Sequence, residues 1–130
     1  MASLFTRIIQ GEIPCHKIYE DENYFAFLEI RPINPGHTLV VPKKEVDYIF
    51  KVDDELLGGM MVFAKRIAPA IEKAVECKRL GIMVAGLEVP HAHIHLIPIM
   101  GLGDLNFDNQ KEADSAELAK VAEEIRKCIE

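Results

Sequence analysis

Apolar positions recur along the chain with changing period, and each change marks an element. Leu4, Phe5, Ile8 and Ile9 have helical spacing and Gly11 follows as a stop, so a short N-terminal helix is expected. Residues 17–20 and 24–28 read as strands joined by the polar turn Asp21-Glu22-Asn23. Pro32 and Pro35-Gly36 then break the chain before residues 37–41, a nearly all-apolar run suited to a strand buried on both faces. Asp53-Asp54 opens a long helix to about Lys78, with Leu56, Met60, Ala64, Ile67 and Ile71 on one stripe. Pro69 is expected to kink it and Gly81 to end the segment. Residues 82–85 are the next strand, and residues 101–110, rich in Gly, Asn and Asp, a loop. Asp114-Ser115-Ala116-Glu117 has capping-box spacing, and Leu118, Val121, Ala122 and Ile125 form the apolar face of a C-terminal helix.

One stretch departs from ordinary patterning. In His91-Ala92-His93-Ile94-His95-Leu96-Ile97 three imidazoles alternate with apolar residues. In a strand the histidines would share one face, neighbours roughly 7 Å apart and the outer pair roughly 13 Å at ~3.3 Å per residue. One zinc ion, with Zn–N bonds of about 2 Å, cannot bind both outer rings. The row suits an elongated anionic group such as a phosphate with its leaving group. Neutral imidazole is a competent nucleophile toward phosphorus at neutral pH, because its ordinary pKa is ~6.5. The central ring, His93, has neighbours within reach on both sides. For its Nε2 to attack, Nδ1 should donate its proton, to a backbone carbonyl.

These elements predict an α+β fold: an antiparallel sheet of about five strands, one long central helix, a short N-terminal helix and a C-terminal helix. A single domain is expected over residues 1–130, with a core over about 4–100 and a helical extension over about 114–129. Composition adds limits. A net charge of −6 argues against a nucleic-acid polymer as partner but leaves room for a mononucleotide in a local pocket. Cys15, Cys77 and Cys128 are odd in number and far apart, without a CxxC pair, which favours a reducing compartment. With no signal-peptide core and no apolar run near the ~18–20 residues of a membrane span, a cytoplasmic protein without membrane contact is expected.

The triad pattern, together with Phe5-Thr6-Arg7-Ile8-Ile9-Gln10-Gly11-Glu12-Ile13-Pro14 and Pro35-Gly36-His37-Thr38-Leu39-Val40-Val41-Pro42-Lys43, resembles the histidine triad family of nucleotide hydrolases and transferases over about residues 4–100. The resemblance implies a HIT-like fold and a homodimer with sheets joined across subunits. It implies a purine cleft walled by Phe5, Ile8 and Ile13, and ribose contacts from Glu29 beside Ile30. His93 would be the nucleophile and His95 the contact to the phosphate oxygen or leaving group. His91 and His37, a fourth histidine, would hold the cluster in place.

Some relatives carry zinc on a Cys-x-x-Cys pair and a histidine. The matching positions here are Ser3, Thr6 and Glu45, so no structural zinc is expected. Glu29 replaces the usual Asp. Leu87 and Glu88 replace the usual Gln and Ser or Thr near the phosphates, and Pro98-Ile99-Met100 replaces a Pro-Arg ending. A carboxylate at Glu88 is expected to disfavour polyphosphate leaving groups and suit amines.

The implied reaction is cofactor-free hydrolysis at the α-phosphate of nucleoside 5′-phosphoramidates or related purine nucleotide conjugates. It would pass through a nucleotidyl-histidine and release a nucleoside monophosphate. Alternatives are dinucleoside polyphosphate hydrolysis, a nucleotide-binding regulator with little turnover, and a zinc hydrolase using adjacent histidines with His37.

Overall fold

The hairpin forms where the alternation predicts it. Strands β1 (Lys17–Glu20) and β2 (Tyr24–Leu28) pair antiparallel, and Asp21 Oδ1 closes the turn by accepting from the Asn23 and Tyr24 N–H groups. The computed structural model describes residues 2–129; Met1 and Glu130, the ends of the expected domain, lie outside them. Strand β3 (Thr38–Pro42) pairs with β2, β5 (Ile94–Ile99) with β3, and β4 (Arg79–Met83) with β5. The result is a five-stranded antiparallel sheet in the order β1-β2-β3-β5-β4. Helices α1 (Leu4–Ile9), α2 (Asp54–Ala74) and α3 (Ser115–Cys128) complete the α+β arrangement.

Strand alternation divides the side chains between two layers. Ala26, Leu28, Val40, Ile94 and Leu96 face α2 and α3 and pack with Met60, Phe63, Ile67, Ile71 and Ile125. Phe25, Phe27, Leu39 and Val41 face the other way, where α1 lays Phe5 and Ile8 on them. Both faces of β2 and β3 are covered, so these strands read as unbroken apolar runs. Leu39 lies opposite His95 in the ladder, which carries His95 to the α1 side.

Two boundaries differ from expectation. The long helix stops at Ala74 rather than near Lys78, and the following strand covers Arg79–Met83 rather than residues 82–85. Pairing with β5 decides this. Lys78 N–H donates to Ile99 O at 2.9 Å and Arg79 lies opposite Ile99, so these residues join the ladder instead of extending the helix. Gly81 is therefore mid-strand rather than a helix stop. A side chain there would meet the Leu105 terminal methyl Cδ2 at 2.8 Å, so the leucine packs into the space that glycine leaves. Pro69 sits inside α2, which continues through it. The helix begins as expected, with Asp53 as N-cap accepting from Leu56 N–H at 2.8 Å.

The Tyr24 ring of β2 seats against Gly59 of α2. Tyr24 Oη donates to Leu56 O at 2.7 Å, and a Cβ on Gly59 would fall 2.0 Å from that oxygen. Gly59→Ala is expected to destabilise the protein by about 2 kcal/mol despite alanine's better helix propensity, since the buried ring must move and lose its hydrogen bond. Gly58, with open space around it, is the internal comparison. Urea denaturation should place the Gly58→Ala midpoint at or above the parent and the Gly59→Ala midpoint clearly below. Among the described residues no helix is long and apolar enough to cross a membrane.

Candidate active site

The triad segment enters the sheet later than its alternation predicts. Strand β5 starts at Ile94, so His91 and His93 precede it. Ala92 N–H donates instead to Val46 O at 2.6 Å, outside the β3–β5 ladder. The rings therefore do not form an evenly spaced row. His93 and His95 converge to 5.0 Å between ring centroids, and His95 has a second imidazole, His37, at 5.1 Å. His95, not only His93, is thus flanked by histidines. His91 turns into the interior and meets His93 through its backbone.

The hydrogen bonds set the tautomers. A carbonyl oxygen only accepts, so His93 Nδ1 must be the protonated nitrogen that donates to His91 O at 2.7 Å. A neutral ring so arranged keeps its lone pair on Nε2. His37 Nδ1 accepts from Ile33 N–H at 3.0 Å, so its proton resides on Nε2. That Nε2–H donates to His95 Nδ1 at 2.9 Å, which puts the His95 proton on Nε2. The two rings nearest each other thus offer one bare Nε2 and one Nε2–H.

Burial keeps these rings neutral. It lowers the pKa of His93, lowers that of His95 to about 4, and lowers that of His37 to about 3. Neighbouring imidazoles push all three the same way, while the His91 carbonyl and the Glu88 charge oppose the shift at His93. The Phe5 ring lies edge-to-face with His93 at 4.9 Å between centroids and packs on it from the α1 side.

His93 and His95 open onto a cavity of about 340 Å³. Phe5, Ile8 and Ile13 wall it, as do Glu29, Ile30 and Glu88. His37 and His91 are fully buried and do not line it, so they can act on the chemistry only through their neighbours. The cavity has further walls that no periodicity in the sequence marks. Phe27 and Leu39 come from the sheet, and Phe107 and Gln110 from the segment after β5. Phe107 stands edge-on to His95 at 4.8 Å. Gln110 donates its amide to Glu29 Oε1 at 3.3 Å and to Arg31 O at 2.9 Å, docking that segment beside Glu29. Burial raises the Glu29 pKa, and the charge of Glu88 adds to the effect. A lone aromatic in a polar loop, Phe107, was the one sequence signal for this wall.

The positions matching zinc ligands in some relatives do converge here, but as a hydrogen-bond cluster. Ser3 Oγ donates to His91 Nδ1 at 2.8 Å, and His91 Nε2 donates to Pro42 O at 2.7 Å. Glu45 Oε1 accepts from Ser3 N–H at 2.7 Å and Thr6 Oγ1 at 2.6 Å. These bonds, the Thr6 hydroxyl first, hold the Glu45 pKa down to about 2. Two neutral hydroxyls and a carboxylate already taken by two donors do not fit a tetrahedral zinc site. The cluster instead ties α1, and with it Phe5, to the residue whose carbonyl orients His93.

Comparison with known proteins adds a family. Residues 10–101 match the HIT domain family. An uncharacterised HIT-like protein of Methanocaldococcus jannaschii is 40% identical over 134 aligned positions, covering 95% of this chain and 98% of its own. An adenosine 5′-monophosphoramidase of Saccharomyces cerevisiae is 37% identical over 102 positions, covering 75% of this chain and 62% of its own. The crystal structure of a HIT-like protein from Bartonella henselae superposes with a TM-score of 0.85 at 32% identity, over 97% of this chain and 95% of that one.

Proposed function

The chain belongs to the HIT family, and from that premise we propose that it is a hydrolase of nucleoside 5′-phosphoramidates or related purine nucleotide conjugates. The observation that carries this reading is the pairing of a bare His93 Nε2 with a His95 Nε2–H at the wall of an apolar cavity. A cleft of about 340 Å³ walled by Phe5, Ile8 and Phe27 suits a flat base, and Glu29 has the acceptors for the ribose hydroxyls.

The chemistry follows from the tautomers. His93 Nε2 attacks the α-phosphorus; the new P–N bond forms as the bond to the leaving amine breaks, and the amine departs with a proton from water. His95 Nε2–H donates to a phosphate oxygen, where charge builds in the transition state. The nucleotidyl-histidine is an imidazolium, and the His91 carbonyl on Nδ1–H stabilises that positive charge. Water then attacks phosphorus, releasing the mononucleotide and neutral His93. His37 is a positioning residue that holds the His95 tautomer.

The yeast relative's activity supports this substrate class. Cleavage of dinucleoside polyphosphates is less favoured, because no lysine or arginine lines the cavity to neutralise a polyphosphate. Assembly as a homodimer along β4 fits an unpaired edge strand with Ile82 exposed and Met61 of α2 lining the same groove.

Rapid mixing with adenosine 5′-phosphoramidate followed by intact-mass measurement tests the proposal. The expected transient is one nucleotidyl group on the chain, mapping to His93, followed by free AMP. Tight binding with neither adduct nor AMP would favour a nucleotide-binding regulator instead.

A further inference from the structure

The cavity has an unusual charge inventory for a phosphate site. Its ionisable walls are two carboxylates, Glu29 and Glu88, two imidazoles kept neutral by burial, and the half-buried Cys15 thiol; among the described residues no lysine or arginine lines it. Glu88 is exposed on the loop between β4 and His91, and its charge acts on both His93 and Glu29. Beside it Leu87 is 93% exposed at the cavity wall, an apolar lip with nothing packed on it. Glu29 is occupied by the Gln110 amide, whereas Glu88 has no such anchor in the loop. An anionic leaving group would meet the Glu88 carboxylate here, and a neutral one would leave it unused.

Resting on the phosphoramidase reading, we propose that the leaving group this site takes is an amine bearing a further positive charge on a short apolar stem, with Glu88 as the residue that selects it. The stem lies along Leu87 and the cation faces the Glu88 carboxylate. The reaction is unchanged: the phosphorus–nitrogen bond breaks as the bond to His93 Nε2 forms, and the nitrogen leaves with a proton from water as a free diamine. A unit charge about 6 Å from Glu88, at an effective dielectric constant between that of water and of a protein surface, changes binding roughly tenfold. Each step of charge on the leaving group should therefore change kcat/KM by about that factor.

Three phosphoramidates of adenosine 5′-phosphate matched in stem length provide the probe: 1,3-diaminopropane, butylamine and 4-aminobutanoate as leaving groups carry an ammonium, a methyl or a carboxylate after the same three methylenes. The expected order is cationic over neutral over anionic, about tenfold per step and about a hundredfold in all, with the spread shrinking in 1 M salt. In Glu88→Gln the spread should collapse toward unity, and in Glu88→Lys it should reverse. Equal cleavage of all three by the parent protein would overturn charge selection while the phosphoramidase reading stands. A spread that survives both variants would remove Glu88 as its source. Cleavage of none of them would overturn both readings.

Discussion

His93→Ala is expected to lower turnover of adenosine 5′-phosphoramidate by about 10⁴-fold or more while AMP still binds within a few-fold of the parent affinity. The separation follows from how the side chain is held. His93 contributes to the cavity wall and touches Phe5, but the base-sized part of that wall is Phe5, Ile8, Ile13 and Phe27, which pack with one another and with Leu39 and Val41 of the sheet. Its loss removes the one ring nitrogen that has its lone pair toward the cavity and its proton tied to the His91 carbonyl. His95 cannot take over, because its Nδ1 accepts from His37 and its Nε2 carries the proton. Single-turnover rates and AMP titration by calorimetry measure the two effects separately. Full activity in the variant would reject the assignment of His93 as nucleophile.

The parts of this arrangement that were legible in the sequence are those set by local pattern. Tyr24 to Leu28 and Thr38 to Pro42 are apolar runs bounded by turn residues, and they became central strands. Asp53 and Asp114 both cap the helices that follow them. What escaped was decided across the sheet. Nothing local in Arg79-Leu80-Gly81 signals a strand; β5 recruits it by pairing, and Leu105 packs over Gly81.

The candidate site divides the same way. Period-2 alternation brought His93 and His95 to one side, but the exit of His91 from the row depends on Val46 and Pro42 as distant partners. Ser3, Thr6 and Glu45 were visible as departures from a zinc pattern, yet only tertiary contact reveals that Ser3 bonds His91 while Glu45 holds Ser3 and Thr6. Phe107 and Gln110 reach the cavity through a loop whose course no periodicity records.

The neutral imidazoles that serve the chemistry also set a cost in acid. His37 Nδ1 already accepts from Ile33 N–H, and His95 Nδ1 from His37, so a second proton on either ring would set donor against donor inside the sheet. Burial first, and the neighbouring imidazole second, hold their pKa values at about 3 and about 4. In the unfolded chain both return to ~6.5, so below that pH the unfolded state binds more protons and stability falls as pH falls. From pH 7 to pH 5 the loss should be about 2 kcal/mol for each ring, roughly 4 kcal/mol for the pair. His93, shifted the same way, adds to it. Glu29 works against it, since its raised pKa lets the folded state take up a proton before the unfolded one does. Glu45 stays ionised through this window, and its contribution is lost only at lower pH. Urea denaturation at pH 7, 6 and 5 should show the midpoint falling throughout, while the His37 and His95 ring resonances show no titration above pH 5. A midpoint that holds steady to pH 5 would mean that both rings take up protons in the folded protein, and a fall of only half the expected size that one of them does. The tautomer chain that leaves a proton on His95 Nε2 for the phosphate would then be broken.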